Sequence, residues 1–144
     1  MNLFGMLEVS GSALSAERQR AEVVTSNMAN AETTRTPEGG PYRRQLVVFR
    51  TARMPRFSTA LAGFGMATAR GVRVDRVVAD NKSPVERYQP GHPDADENGF
   101  VAYPDIDPVE ETADLLGAVR AYELNAAAVQ STKNMIQASL DLLR

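Results

Sequence analysis

The chain has 144 residues, a formal charge of −2 and 24% charged residues, and it lacks both cysteine and tryptophan. That length suits one domain with a modest core, while the near-neutral balance supplies no global field to gather nucleic acid or acidic lipid. Without cysteine there are no disulfides, no thiolate catalysis and no cysteine-ligated zinc.

The N-terminal segment is expected to be a helix over residues 1–31. Alternating steps of four and three pick out Leu3, Leu7, Ser10, Leu14, Glu17, Ala21, Val24, Met28 and Ala31, a heptad stripe that is mostly apolar or Ala. Glu8 interrupts the opening apolar run and the first basic residue is Arg18, so no cleaved secretory signal is readable. No run of about 18 apolar residues occurs, so no membrane-spanning helix is expected. On these grounds the protein is cytoplasmic or leaves the cell by a route that reads no cleavable signal.

A polar hinge, rich in Asn, Thr, Pro and Gly, follows over 32–45. Residues 46–106 are expected to form a small β-rich body with strands at Leu46 to Thr51, Gly71 to Val78 and Gly99 to Tyr103. The Gly- and Ala-rich stretch 52–70 has no clear period and reads as a flexible insertion.

Several stretches in this middle region imitate chemistry. Asp94, Asp96, Asn98, Gly99, Val101 and Asp105 fall at calcium-loop spacing. Pro90 and Pro93 precede them and Pro104 sits where an exit helix would have to coil, so an acidic turn before a strand is expected instead. His92 is the sole histidine and lacks the partners of a triad or zinc site. "GFGMAT" carries Thr68 where a dinucleotide fingerprint needs its third Gly. "YRRQ", with Arg43 and Arg44, is too small a basic patch to argue for nucleic acid. No active site assembles, and neither a metal nor a cofactor is expected.

The last element is a helix over 107–144. Asp107 can cap it, Pro108 suits its first turn, and Glu110, Glu111 and Asp114 favour its dipole. Its stripe runs Leu115, Val119, Tyr122, Ala126, Val129, Lys133, Ile136, Leu140 and Leu143. Each stripe spans 29 residues, about 43 Å of helix. Matched stripes at the two ends point to an α+β fold in which long terminal helices pair as an antiparallel coiled-coil hairpin beside the β-rich body. One allowed register faces Glu17 with Lys133, so that a slip would strand each charge against an apolar residue. The alternative is that both side chains reach solvent or a neighbouring subunit. Ala, Ser10, Glu17, Lys133 and Gly11 dilute the stripes, and the helix ends are expected to stay loose until other copies cover them.

Ser26 to Arg44, "SNMANAETTRTPEGGPYRR", resembles the hinge of bacterial flagellar rod and hook axial proteins, in which an N-terminal helix ends in an N-x-A-N-A-x-T segment, here Asn27, Ala29, Asn30, Ala31 and Thr33. Asp80 to Glu111 and Arg120 to Leu143 are similar to the same family, and 52–70 carries no signature of it. The resemblance implies a structural, non-enzymatic axial subunit of the proximal rod that polymerises helically through its terminal helices. It implies export through the flagellar type III apparatus without a cleaved signal. The implied partners are copies of the chain, other rod proteins, a membrane-ring protein with its rod adapter, and the export apparatus, with no nucleic acid and no direct membrane insertion. The rival reading is a soluble helical-hairpin adaptor or export chaperone acting as a discrete oligomer.

Overall fold

A computed structural model describes residues 3–52 and 70–142. The fold is α+β, with elements in the order α1 (Leu3–Ala29), β1 (Gln45–Thr51), β2 (Val72–Ala79), β3 (Val85–Tyr88), β4 (Phe100–Tyr103) and α2 (Pro108–Asp141). Of the expected 52–70 insertion, only the flanking Ala52 and Arg70 are among the described residues, and the remainder lies outside them.

α2 begins where local chemistry favours it. The Asp107 carboxylate accepts the Val109 amide at 2.8 Å and its carbonyl accepts the Glu111 amide at 3.0 Å, while Pro108 occupies a position whose missing N–H costs nothing. α1 closes on side chains, as Asn30 donates both its amide and its Nδ2 to the Ser26 carbonyl. No helix among the described residues is long and apolar enough to cross a membrane.

The strands form two separate two-stranded sheets, β1 with β2 and β3 with β4. β3 is absent from the expected strands, because "VERY" is four residues with two charges and is entirely exposed. It pairs antiparallel with β4, Val85 opposite Tyr103 and Tyr88 opposite Phe100. Successive side chains alternate faces. One hairpin face thus carries Val101, which is buried, and Tyr103, under the Arg87 guanidinium at 4.7 Å from its ring; the other carries Glu86, Tyr88 and Phe100.

The chain divides into two compact units, and both helices contribute to each. The first comprises residues 1–19, 49–75 and 117–144. Here the start of β2 lies against α1. Ser12 Oγ accepts the Val72 amide at 3.0 Å while donating to the Val9 carbonyl at 2.7 Å, and the Ala52 amide reaches the Gly71 carbonyl at 2.8 Å. A Cβ at Gly71 would run into the Ser12 hydroxyl, so glycine permits this approach. Among the described residues, Ala16 and Ala118 are its buried apolar side chains. The second unit, 20–48 and 76–116, buries Val24, Val101 and Tyr103, together with the polar Asn27 and Glu111.

Candidate functional site: hinge network and helix faces

Asn27, in the last turns of α1, is 1% exposed, and all of its side-chain hydrogen-bonding capacity is used. Nδ2 donates to the Gln45 carbonyl at 2.9 Å and to Glu111 Oε2 at 3.0 Å, while Oδ1 accepts the Gln45 amide at 2.9 Å and the Tyr42 hydroxyl at 3.2 Å. One amide group therefore holds both main-chain polar groups of the first residue of β1 and the first turn of α2. Glu111, also 1% exposed, receives Arg44 Nε on its other oxygen. Arg44 further reaches Asp114 at 3.7 Å and Glu110 at 4.0 Å, and Asp114 holds Arg20 of α1 at 3.2 Å. Burial alone would lower the pKa of the Arg44 guanidinium. Its hydrogen bond and charge interaction with Glu111, helped by Glu110 and Asp114, outweigh that and raise it above its ordinary value. A buried charge so paired is well held, and removing one partner would leave the other uncompensated.

The hinge is a bonded loop. Tyr42 N–H returns to the Thr33 carbonyl at 3.0 Å, enclosing a turn in which Thr36 N–H meets the Gly40 carbonyl at 2.9 Å. Gly39 and Gly40 make that turn with φ of 91° and 75°, where a side chain would be strained. Thr33 donates to Asn30 Oδ1 at 3.1 Å, and Thr34 donates to Asp94 Oδ2 at 2.8 Å. Of the motif residues, Asn27 is buried, Asn30, Ala31 and Thr33 are half-buried, and Ala29 is exposed.

The stretch with calcium-loop spacing forms an Asx-type turn. Asp96 Oδ1 accepts the amides of Asn98 and Phe100 at 2.9 and 2.7 Å, Gly99 takes φ of 82°, and Asp94 faces Thr34 and Arg35. His92 Nδ1 accepts the Asp94 amide at 3.1 Å, and its ring meets Tyr103 edge-on. Asp105 pairs with Lys82 at 3.5 Å.

Along α1 the expected stripe is covered to varying degrees: Val24 is buried, and Leu3, Leu7, Ser10, Leu14, Glu17, Ala21 and Met28 are half-buried. Along α2, Leu115, Ala126, Val129 and Ile136 are half-buried, Val119, Tyr122, Lys133 and Leu140 are exposed, and Leu143 lies outside the described side chains. The buried positions of α2 are Glu111, Ala118 and Thr132, with Asn125 half-buried between the last two, one residue before the 119, 126 and 133 positions of the expected stripe.

The register differs from expectation as well. Arg20 meets Asp114 and Asn27 meets Glu111, whereas the alignment joining Glu17 to Lys133 would set Arg20 beside Gln130 and Asn27 beside Glu123, about two heptads away. The physical reason is the relative cost of exposing or stranding charge. Lys133 reaches solvent at little cost, while mis-setting the buried Asn27, Glu111 and Arg44 would strand several polar groups.

Glu111 and Arg44 are the residues that sequence reasoning missed. Glu111 looks like an ordinary first-turn acid and Arg44 like half of a small basic patch. The separations of 84 residues from Asn27 to Glu111 and 67 from Arg44 to Glu111 hide their partnership.

The chain is also similar to known proteins at both ends and over its whole length. A family described as "Flagella basal body rod protein" matches residues 7–35, and one described as "Flagellar basal body rod FlgEFG protein C-terminal" matches residues 97–142. Curated relatives named flagellar basal-body rod protein FlgC include those of Borreliella burgdorferi, 38% identical over 100% of this chain and 99% of the relative, and Bacillus subtilis, 39% identical over 99% of each. The Salmonella typhimurium protein is 36% identical over 99% of this chain and 98% of its own length.

Proposed function

Because the chain belongs to the FlgC family of flagellar basal-body rod proteins, we propose that it is a structural subunit of the proximal rod that polymerises helically through its terminal helices into a torque-transmitting shaft. It works by packing and not by catalysis. Subunits follow the flagellar type III export route without a cleaved signal and assemble across the periplasm with copies of themselves and other rod proteins. The membrane-ring protein and its rod adapter supply the base on which they nucleate.

The observation that carries this reading is the apolar surface left open around α2. Among the described residues, Val109, Leu116, Val119, Tyr122, Leu124, Met135 and Leu140 are large apolar side chains exposed along it, whereas the helices bury only small or medium apolar residues, Ala16, Val24 and Ala118. Such an uncovered series marks an interaction surface. A contact that repeats between different surfaces builds an open helix of subunits, as an axial structure requires. The hinge network then has a mechanical role. It fixes β1 to the ends of both helices, so load on the helices reaches the sheet through charged, buried hydrogen bonds.

The test is isolation of basal bodies from cells in which the only copy of the chain carries a photo-reactive residue at Leu124. Recovery of the chain in the rod fraction, with light-dependent adducts to itself or another rod protein, is the expected result. Absence from basal bodies, or one discrete soluble oligomer of fixed size, would overturn the assignment.

A further inference from the structure

The central region is divided by charge. Residues 43–52 and 70–79 carry six arginines against Asp75 alone, whereas residues 80–107 carry seven carboxylates against Lys82 and Arg87. Most of those carboxylates have local work in turns, caps and pairs. Glu86 and Glu97 are exposed and have no hydrogen-bonded or ionic partner among the described residues. Glu86 shares the open face of the β3–β4 hairpin with two exposed aromatics, Tyr88 at 66% and Phe100 at 40%, whose rings meet edge-on at 5.4 Å, and Glu97 lies in the turn that leads into β4. On the other sheet, Arg50, Thr51, Arg70 and Arg73 line an open hollow. Arg50 pairs with Asp75 at 3.2 Å, while Arg70 and Arg73 have no such partner among the described residues.

We propose that the acidic, aromatic face of the β3–β4 hairpin docks into the arginine-lined hollow of the β1–β2 sheet on a second copy of this chain. The chemistry is matched on both sides. A guanidinium stacks on a tyrosine or phenylalanine ring and, at its edge, pairs with a carboxylate, which a lysine does less well. Opposite charges steer the two surfaces together and disfavour hairpin on hairpin or hollow on hollow. Since the two surfaces are different, the contact runs head to tail and repeats from copy to copy. The contact rests on the rod assembly proposed above and adds a β-layer contact to the helix packing.

The absence of native cysteine allows a clean trap. One tagged chain carries Thr51→Cys in the hollow, and another with a different tag carries Asn98→Cys beside Glu97. They are mixed at high concentration in about 50 mM salt and oxidised. Disulfide heterodimers should exceed homodimers by about fivefold or more, and that excess should be lost at about 500 mM salt. Arg70→Glu with Arg73→Glu in the first chain should lower the heterodimer by a similar factor. Adding Glu86→Arg with Glu97→Arg in the second should restore it, with circular dichroism verifying that each variant is folded. Equal heterodimers and homodimers, no disulfide at all, or insensitivity to the reversals would overturn the contact. Recovery of the parent chain in isolated basal bodies keeps the rod assignment in place when the disulfide fails. Its absence there overturns that assignment whatever the disulfide does.

Discussion

At the scale of single residues, the side chain of Asn27 joins the end of α1 to Tyr42, to the start of β1 and to the first turn of α2. It was legible as a residue of the hinge motif. Its partners, the main chain of Gln45 and the carboxylate of Glu111, were not, since a partnership over such separations leaves no local periodicity. Asn27→Ala leaves the Gln45 polar groups and one Glu111 oxygen without their donor or acceptor, and should lower unfolding stability by roughly 2 to 4 kcal/mol in urea titrations. Asn27→Asp keeps the shape but sets a carboxylate against Glu111, so it should be at least as damaging near neutral pH. A variant within about 0.5 kcal/mol of the parent would show that the network is not coupled to folding. The pH response has a definite sign. Arg44 has a raised pKa, so the stability from its charged form is fully present below its ordinary value and is lost only as pH rises through the higher folded value. Alkaline titration from about pH 7 to 10 should therefore leave the Arg44 contribution intact.

At the scale of elements, both long helices were legible from their apolar stepping, and the cap at Asp107 from its own residue type. The buried line of α2 was not, because several of its members are polar. Thr132 donates to the Ala128 carbonyl and Asn125 to the Ala121 carbonyl, each at 2.8 Å. A polar side chain that satisfies itself on its own helix can be covered at little cost, which an apolar count cannot register. Two glycines test how the elements are built. Gly11 lies mid-helix with open space where a Cβ would project, so Gly11→Ala should stabilise α1 in dilute protein by about 1 kcal/mol, read as a higher thermal midpoint by circular dichroism. Gly71→Ala should do the reverse, costing roughly 1 to 3 kcal/mol, because the new methyl meets the Ser12 hydroxyl that holds the Val72 amide. Equal effects of the two substitutions would mean that the contact of β2 with α1 is not tight in solution.

At the scale of the whole molecule, the balance of buried and exposed apolar side chains sets the expectation. Among the described residues the buried apolar side chains are few, while Leu116, Val119, Leu124 and Met135 of α2 are exposed, the kind of surface that partners cover. Stability in the isolated chain should accordingly be uneven. Residues 20–29 and 108–116 are tied by Asn27, Glu111, Arg44, Arg20 and Asp114. Among the described side chains of residues 3–19 and 117–142, only Ala16, Ala118 and Thr132 are buried, and Ser12 bonds the start of β2. Amide exchange opens first where few apolar contacts hold the helix. In dilute protein the first pair of segments should therefore exchange more slowly than the second, even though each helix is continuous in sequence. Assembly stabilises whatever it covers by mass action, so the second pair should gain the larger protection when the chain is measured in isolated basal bodies. Uniform, strong protection of both helices in the dilute monomer would remove the need for neighbours. Protection that fails to rise in the basal body would mean that partners cover some other part of the chain.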